Sequence, residues 1–204
     1  ATRGSPLALW QTNKVISFLS ADFPELETEI VIVETTGDKD RETSLSELGG
    51  QGAFVKEVQL AVLEGKADFA IHSAKDLPAM SPDGLQLIAF PERADSRDVL
   101  VGKHWEELPH EACIATGSIR RKAHLLHQRP DLCFEDLRGN IETRLKKAEH
   151  YDAIVMAKAA LDRLGLTPEV VDVLDPSILL PQVGQGALAI ETRAQDENLK
   201  ALFS

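Results

Sequence analysis

The chain has 204 residues, is 43% hydrophobic and 27% charged, and carries a net charge of −11. That size and balance fit one or two globular domains. No apolar run reaches the ~20 residues of a membrane helix, and so acidic a chain excludes non-specific nucleic-acid binding, which needs a basic face. The charge is uneven. Residues 113–165 carry ten Lys/Arg against seven Asp/Glu, while the remainder carries 12 against 26. A basic segment inside an acidic chain points to a small anionic ligand. Cys113 and Cys133 lack metal-type spacing and sit in apolar, strand-like stretches, so buried free thiols are expected. No basic-then-apolar leader is present, which gives no sign of export.

Ser5-Pro6 marks a helix start, serine as N-cap and proline in the first turn, and the helix is expected to run to about Ala21. Thr28–Glu34 alternates around Ile30 and Ile32 and reads as a strand, with a turn at Thr35-Thr36-Gly37-Asp38. Lys39–Gln51 reads as a long polar loop. Ala53–Glu64 is an amphipathic helix with Phe54, Val58, Ala61 and Val62 on its inner side. Ala67–Ile71 is a short buried strand that runs into His72-Ser73-Ala74-Lys75-Asp76. Strands are expected near Leu85–Phe90 and Asp98–Val101, with the charged stretch 92–98 crossing between lobes.

Further strands are expected at Ala112–Ala115, Leu132–Phe134, Asp152–Met156 and Ala187–Glu191. Helices are expected after Ser118, after Asn140, over Ala157–Leu164 and from Asp196. Leu180–Gly186 is a Pro/Gly-rich return crossing. The stretches 68–75 and 152–158 resemble each other faintly, as two related α/β lobes would.

In open α/β sheets, ligands sit at the carboxyl ends of strands. Lys75 and Asp76 lie at such an end, where they can bind an anion and move a proton; the plainer alternative is a turn-capping aspartate with a solvated neighbour. Thr116-Gly117-Ser118-Ile119-Arg120-Arg121 places N–H groups and hydroxyls at a helix start, which favours anions. Two arginines in that first turn oppose the helix dipole, a cost best explained by a carboxylate or phosphate that they face. Arg138 and Arg144 flank a Gly-Asn turn and suit the same ligand. Arg163, near a helix end, reads more simply as a dipole-compensating surface residue. Arg3 and Ser5 form a second anion-type start. Gly184-Gln185-Gly186 lacks the spacing of a phosphate loop. His124 and His127 have no acidic or cysteine partner in sequence, so no metal site is expected.

Taken together, several segments resemble the porphobilinogen deaminase (hydroxymethylbilane synthase) family: residues 2–11, Thr35-Thr36-Gly37-Asp38, Gly52-Ala53-Phe54-Val55-Lys56-Glu57, His72–Pro78, Arg120-Arg121, Leu137-Arg138-Gly139-Asn140 with Thr143-Arg144, and Val183–Ala187. They occur in the family's order across nearly the whole chain. Two departures stand out: one hydroxyl of the family's pattern is replaced by Gly117, and a common lysine by Gln51.

The resemblance implies two similar, periplasmic-binding-protein-like α/β lobes with mixed, mostly parallel sheets, joined by two hinge crossings. Lobe 1 would comprise 1–91 plus 187–204 and lobe 2 97–183, with a third, cofactor-bearing C-terminal domain absent from this chain. It implies a transferase of tetrapyrrole (haem) biosynthesis that condenses four porphobilinogen molecules head to tail, with loss of ammonia, into hydroxymethylbilane. It also implies a covalent dipyrromethane cofactor, its attachment cysteine expected in the missing domain, so that these 204 residues alone would be inactive.

By the same resemblance Asp76 is the catalytic acid/base. Arg3, Ser5, Lys75, Thr116, Ser118, Arg120, Arg121, Arg138, Arg144 and Arg163 hold cofactor or substrate carboxylates, with Gln11 and Lys56 as further candidates. A cytoplasmic monomer with no metal, nucleic acid or membrane partner is expected. The competing reading is a non-enzymatic two-lobe binding protein for a small carboxylate, which would need no acid at Asp76. A phosphoribosyl-type transferase is disfavoured because no diphosphate loop appears.

Overall fold

The computed structural model describes residues 1–39, 52 and 54–203. The expected loop over Lys39–Gln51, with Gln51 itself, lies almost wholly outside the described residues. The chain divides into two compact units: Ala1–Arg93 with Ala187–Ser204, and Ala94–Gly186. Among the described residues no helix is long and apolar enough to cross a membrane.

In chain order the first unit begins with β1 (Thr2–Arg3), α1 (Pro6–Asp22), β2 (Ile32–Val33), α2 (Thr36–Lys39), α3 (Lys56–Leu63), β3 (Phe69–Ser73) and β4 (Leu85–Ala89). The second unit holds β5 (Asp98–Val101), β6 (Cys113–Ala115), α4 (Ile119–Gln128), β7 (Cys133–Glu135), α5 (Ile141–Lys147), β8 (Ala153–Ala157), α6 (Lys158–Leu164) and β9 (Val171–Val173). The chain then returns to the first unit through β10 (Leu188–Arg193) and α7 (Glu197–Leu202).

Helix α1 starts as its sequence dictates. Ser5 has extended backbone and its hydroxyl accepts from Ala8 N, with proline opening the helix. Its buried face, Gln11, Thr12, Val15 and Leu19, repeats at helical spacing. Val15 packs with Ile71, Leu188 and Ile190 in the core of the first unit, a burial that contributes about 2 kcal/mol for such a side chain. The strand expected over Thr28–Glu34 shortens to β2, because its partner β1 offers only Thr2 and Arg3 to pair with Ile32 and Val33. The stretch read as a turn at Thr35–Asp38 opens α2 instead. The Glu57 carboxylate accepts from both the N–H and the hydroxyl of Thr36 there, as an acid at a helix start should.

In the second unit the strand order is β7-β6-β8-β5-β9. All five residues of β8 are buried, and they alternate between two cores. Ala153 and Val155 face Leu100, Ile114, Leu125 and Leu174 on one side. Ile154 and Met156 face Val99, Val101, Ala115 and Leu161 on the other. A strand covered on both faces reads as continuous apolar sequence for this reason.

The sheets are mixed. Among the described residues the parallel pairs include β1–β2, β6–β7 and β6–β8. The antiparallel pairs all involve β5 or β10. Those are the strands that follow each passage between units. Helical crossovers return a chain in the same direction, whereas a strand arriving from the other unit has no such crossover, which adds antiparallel pairs to an expectation of mostly parallel ones. The cysteines also need correction. Both are free, but Cys133 is exposed and Cys113 only partly covered, because they pair with each other in register on β7, the last strand of its sheet, and β6.

Candidate active site

In the first unit, the sheet collects its carboxyl ends at one edge. Ile71 N donates to Ala1 O, and the Ala1 amine donates to Phe69 O, so β1 runs alongside β3 in the same direction. Arg3 and Ser5 therefore leave β1 at the end where Ser73, Lys75 and Asp76 leave β3. Gln11, buried on α1, locks this corner: its Nε2 donates to Ser73 Oγ at 3.0 Å, and Ser73 Oγ stands 3.2 Å from its Oε1. Residues Ala74–Asp76 form a single 3₁₀ turn. The half-buried Asp76 carboxylate has no hydrogen-bond or ion-pair partner among the described residues. The Arg3 guanidinium lies 4.1 Å from the ring centroid of Phe54, just before α3, a stacking that holds the cation in place. Lys56 is exposed at the first position of α3.

In the second unit the carboxyl ends of β6, β7 and β8 lie together, beside the first residue of the antiparallel β5: Asp98 pairs with Ala157. Thr116 follows β6 and is buried, its hydroxyl accepting from Ser118 N at 3.2 Å. Ser118 caps α4 by accepting from Arg121 N. A Cβ on Gly117 would stand 3.1 Å from Leu137 O, so glycine lets the loops after β6 and β7 touch. Arg138 follows Leu137 directly, so its backbone leaves from that contact. Arg144 folds back, its Nε donating to Gly139 O at 2.8 Å. Arg163 is not the surface residue that its place on α6 suggests: it is half-buried, Nη2 donates to Gly186 O at 2.6 Å, and burial pulls its guanidinium below the ordinary value.

The arginines at the head of α4 do face a carboxylate, and it belongs to the protein. Asp98 is fully buried. Its Oδ1 accepts from Arg121 Nε at 3.2 Å, Arg121 Nη2 at 2.7 Å and Gln185 Nε2 at 2.9 Å; its Oδ2 accepts from Arg120 Nη2 at 2.7 Å. Burial pushes the Asp98 carboxyl up, but the charge and hydrogen bonds of Arg121 and Arg120 outweigh that and hold it below the usual range. Arg121 is spent inside the protein, its Nη1 reaching Val155 O at 3.0 Å. Arg120 also donates to Leu180 O, yet its buried Nε has no acceptor among the described residues. An orphaned donor of that kind costs about 1–3 kcal/mol. Neither Asp98 nor Gln185 stands out from sequence reasoning. The signal that could find Asp98 is an acid heading the otherwise apolar Asp98-Val99-Leu100-Val101, with two arginines waiting in a helix's first turn.

Among the described residues no three His, Cys, Asp or Glu side chains converge as metal ligands. The geometry is that of a two-unit α/β fold of the periplasmic-binding-protein type, with arginines, hydroxyls, a lysine and an aspartate at its strand ends. The BvgS periplasmic VFT2 domain of Bordetella pertussis shares that fold, with a TM-score of 0.50 at 18% identity over 94% of this chain and 74% of that one.

A family model described as porphobilinogen deaminase, dipyromethane cofactor binding domain, matches residues 1–201. A porphobilinogen deaminase of Syntrophus aciditrophicus (strain SB) is 45% identical over 205 residues, covering 98% of this chain and 67% of the relative. One of Chlorobium phaeobacteroides (strain BS1) is 45% identical over 208 residues, covering 100% and 66%. The chain belongs to the porphobilinogen deaminase family, and it spans about two thirds of the length of these curated relatives.

Proposed function

We propose that the protein acts as a hydroxymethylbilane synthase, a transferase that joins four porphobilinogen molecules head to tail with release of ammonia at each step. The observation that carries this reading is Asp76: a half-buried carboxylate without a partner among the described residues, on a tight turn at the carboxyl end of β3, next to Lys75 in sequence and at the sheet end where Arg3 leaves β1.

Porphobilinogen carries an acetate and a propionate, so each added ring brings two carboxylates. The partly exposed guanidinium of Arg120 and the N–H groups heading α4 suit such groups. Thr116, Ser118, Arg138 and Arg144 border that position. Arg3, Ser5 and Lys75 offer cations and a hydroxyl beside Asp76. The same donor set fits the carboxylates of a dipyrromethane cofactor, and Arg120, Ser118 and Arg138 are the residues that would hold them. When bound, that group supplies the pyrrole carbon on which the product grows.

Asp76 handles the protons. As the acid it gives one to the aminomethyl nitrogen of porphobilinogen, so that the carbon–nitrogen bond breaks and ammonia leaves. As the carboxylate it stabilises the cation left on the pyrrole. As the base, the same carboxylate would take up the proton that a pyrrole ring loses once it is joined to the next unit. Arg121 is read here as support for Arg120, and Arg163 as a brace on the Gly186 carbonyl. Cytoplasmic, monomeric work on a small-molecule substrate completes the reading.

The test uses the natural product of this gene, incubated with porphobilinogen and followed by uroporphyrin formation after acid oxidation. Wild type should form product and Asp76→Ala should nearly stop. A protein that binds porphobilinogen and leaves it unchanged would move the reading to the carboxylate-binding protein.

A further inference from the structure

One buried carboxylate gives the two neighbouring arginines of α4 different jobs. Asp98 uses both oxygens: three donors reach Oδ1 and one reaches Oδ2. Arg121 has Nε and Nη2 on Asp98 and Nη1 on Val155 O, and only 8% of its side chain is exposed. Arg120 spends Nη2 on Asp98 and Nη1 on Leu180 O, keeps Nε unmatched among the described residues, and is 22% exposed. Gln185 enters the same cluster from the return crossing, its Nε2 bridging Asp98 Oδ1 at 2.9 Å and Ser96 O at 2.7 Å.

We propose that Asp98 is a positioning residue, which fixes the guanidinium plane of Arg120 so that the exposed part of the group meets a ligand carboxylate, with Arg121 as the internal strut that neutralises Asp98. This rests on the proposed function in one respect only, the ligand that Arg120 meets. Arg120 is thus the contact residue of the pair, and Arg121 acts through Asp98. Planar, fork-shaped recognition is lost when a guanidinium can rotate, so a fixed counter-charge is worth more here than the anion repulsion that it adds.

Charge and position make opposite forecasts for Asp98→Asn. Removing a negative charge beside two arginines should strengthen anion binding if charge alone matters. If Asp98 positions Arg120, affinity for porphobilinogen in calorimetry should fall at least tenfold, and Asp98→Glu should recover part of it. With ¹⁵N-labelled arginine, porphobilinogen should shift the Arg120 Nε–H signal and leave Arg121 in place. Unchanged or tighter binding by Asp98→Asn, or a shift confined to Arg121, overturns the proposal.

If Asp98→Asn does not fold, the double variant Asp98→Asn/Arg121→Met removes the buried pair together and leaves no lone charge inside. Should the wild-type chain not bind porphobilinogen, the functional reading fails for it, and the unliganded spectra still decide the positioning. Slow exchange of the Arg120 and Arg121 Nε–H in wild type, with Arg120 freed in the double variant, supports it. An Arg120 equally ordered in both overturns it.

Discussion

His72 Nε2 lies 3.0 Å from Glu191 Oε2, and the two side chains are all but excluded from solvent, at 3% and 0% exposure. The contact is close but short of an aligned hydrogen bond. It joins β3 to β10, one residue before the corner at Ser73 that leads to Asp76. Gln59 completes it from α3, its Nε2 3.1 and 3.0 Å from the two carboxylate oxygens.

Burial pushes the Glu191 carboxyl up, but His72 and Gln59 outweigh it and hold it below its ordinary value of 4.5. A carboxyl depressed by folding adds stability above its unfolded value, and that contribution is lost as pH falls through the folded value. Glu191→Gln should therefore lower stability at pH 7 by about 1–3 kcal/mol. It should also flatten the decline below about pH 4.5. Urea unfolding midpoints from pH 7 to 3 check both; an acid limb as steep as wild type would remove Glu191 as its source.

Two glycines with positive φ should respond differently to alanine. Gly165 ends α6 at φ +62, and an added methyl group there would meet nothing within 4 Å, so Gly165→Ala meets backbone strain alone, about 1–2 kcal/mol. Gly186 has φ +83, and a Cβ there would stand 2.5 Å from Ala94 O. Overpacking adds about 1–3 kcal/mol to its strain. Thermal unfolding of the two variants should rank Gly186→Ala as the less stable.

Leu125 is the α4 residue fully buried against Ile114, Leu100 and Val155. Leu125→Ala should cost about 2–5 kcal/mol, read by denaturant titration. A loss under about 1 kcal/mol would mean that α4 packs less tightly than this core requires.

Asn140 Oδ1 accepts from Thr143 N at 2.8 Å and caps α5, none of whose residues is fully buried. Ile141 and Leu145 pack against the core only partly buried, so α5 leans on that cap. Asn140→Ala should cost about 1 kcal/mol and release Arg144 from Gly139 O, visible as faster amide exchange through Ile141–Arg144.

Local signals carry much of this fold. Ser5-Pro6 starts α1, Asn140 caps α5, and the apolar run at 98–101 forms β5 over the expected residues. Each is legible because its cause lies within a few neighbouring residues. What depends on distant partners is not. β2 shrinks to the length of β1, β9 forms because β5 offers an open edge, and Cys133 is exposed by its place on the last strand. The arginines of α4 announce a carboxylate, but their sequence does not say whether it arrives with a ligand or already sits 23 residues upstream at Asp98.

The first and last residues of the second unit are hydrogen-bonded to each other, Ala94 N to Gly186 O at 3.1 Å. A segment whose ends meet is topologically a cassette. Residues 94–186 keep every described strand pair of their own sheet when taken out, and the same ends can be spliced to open the chain elsewhere. The second unit is therefore a natural candidate for excision, circular permutation or transplantation into another host.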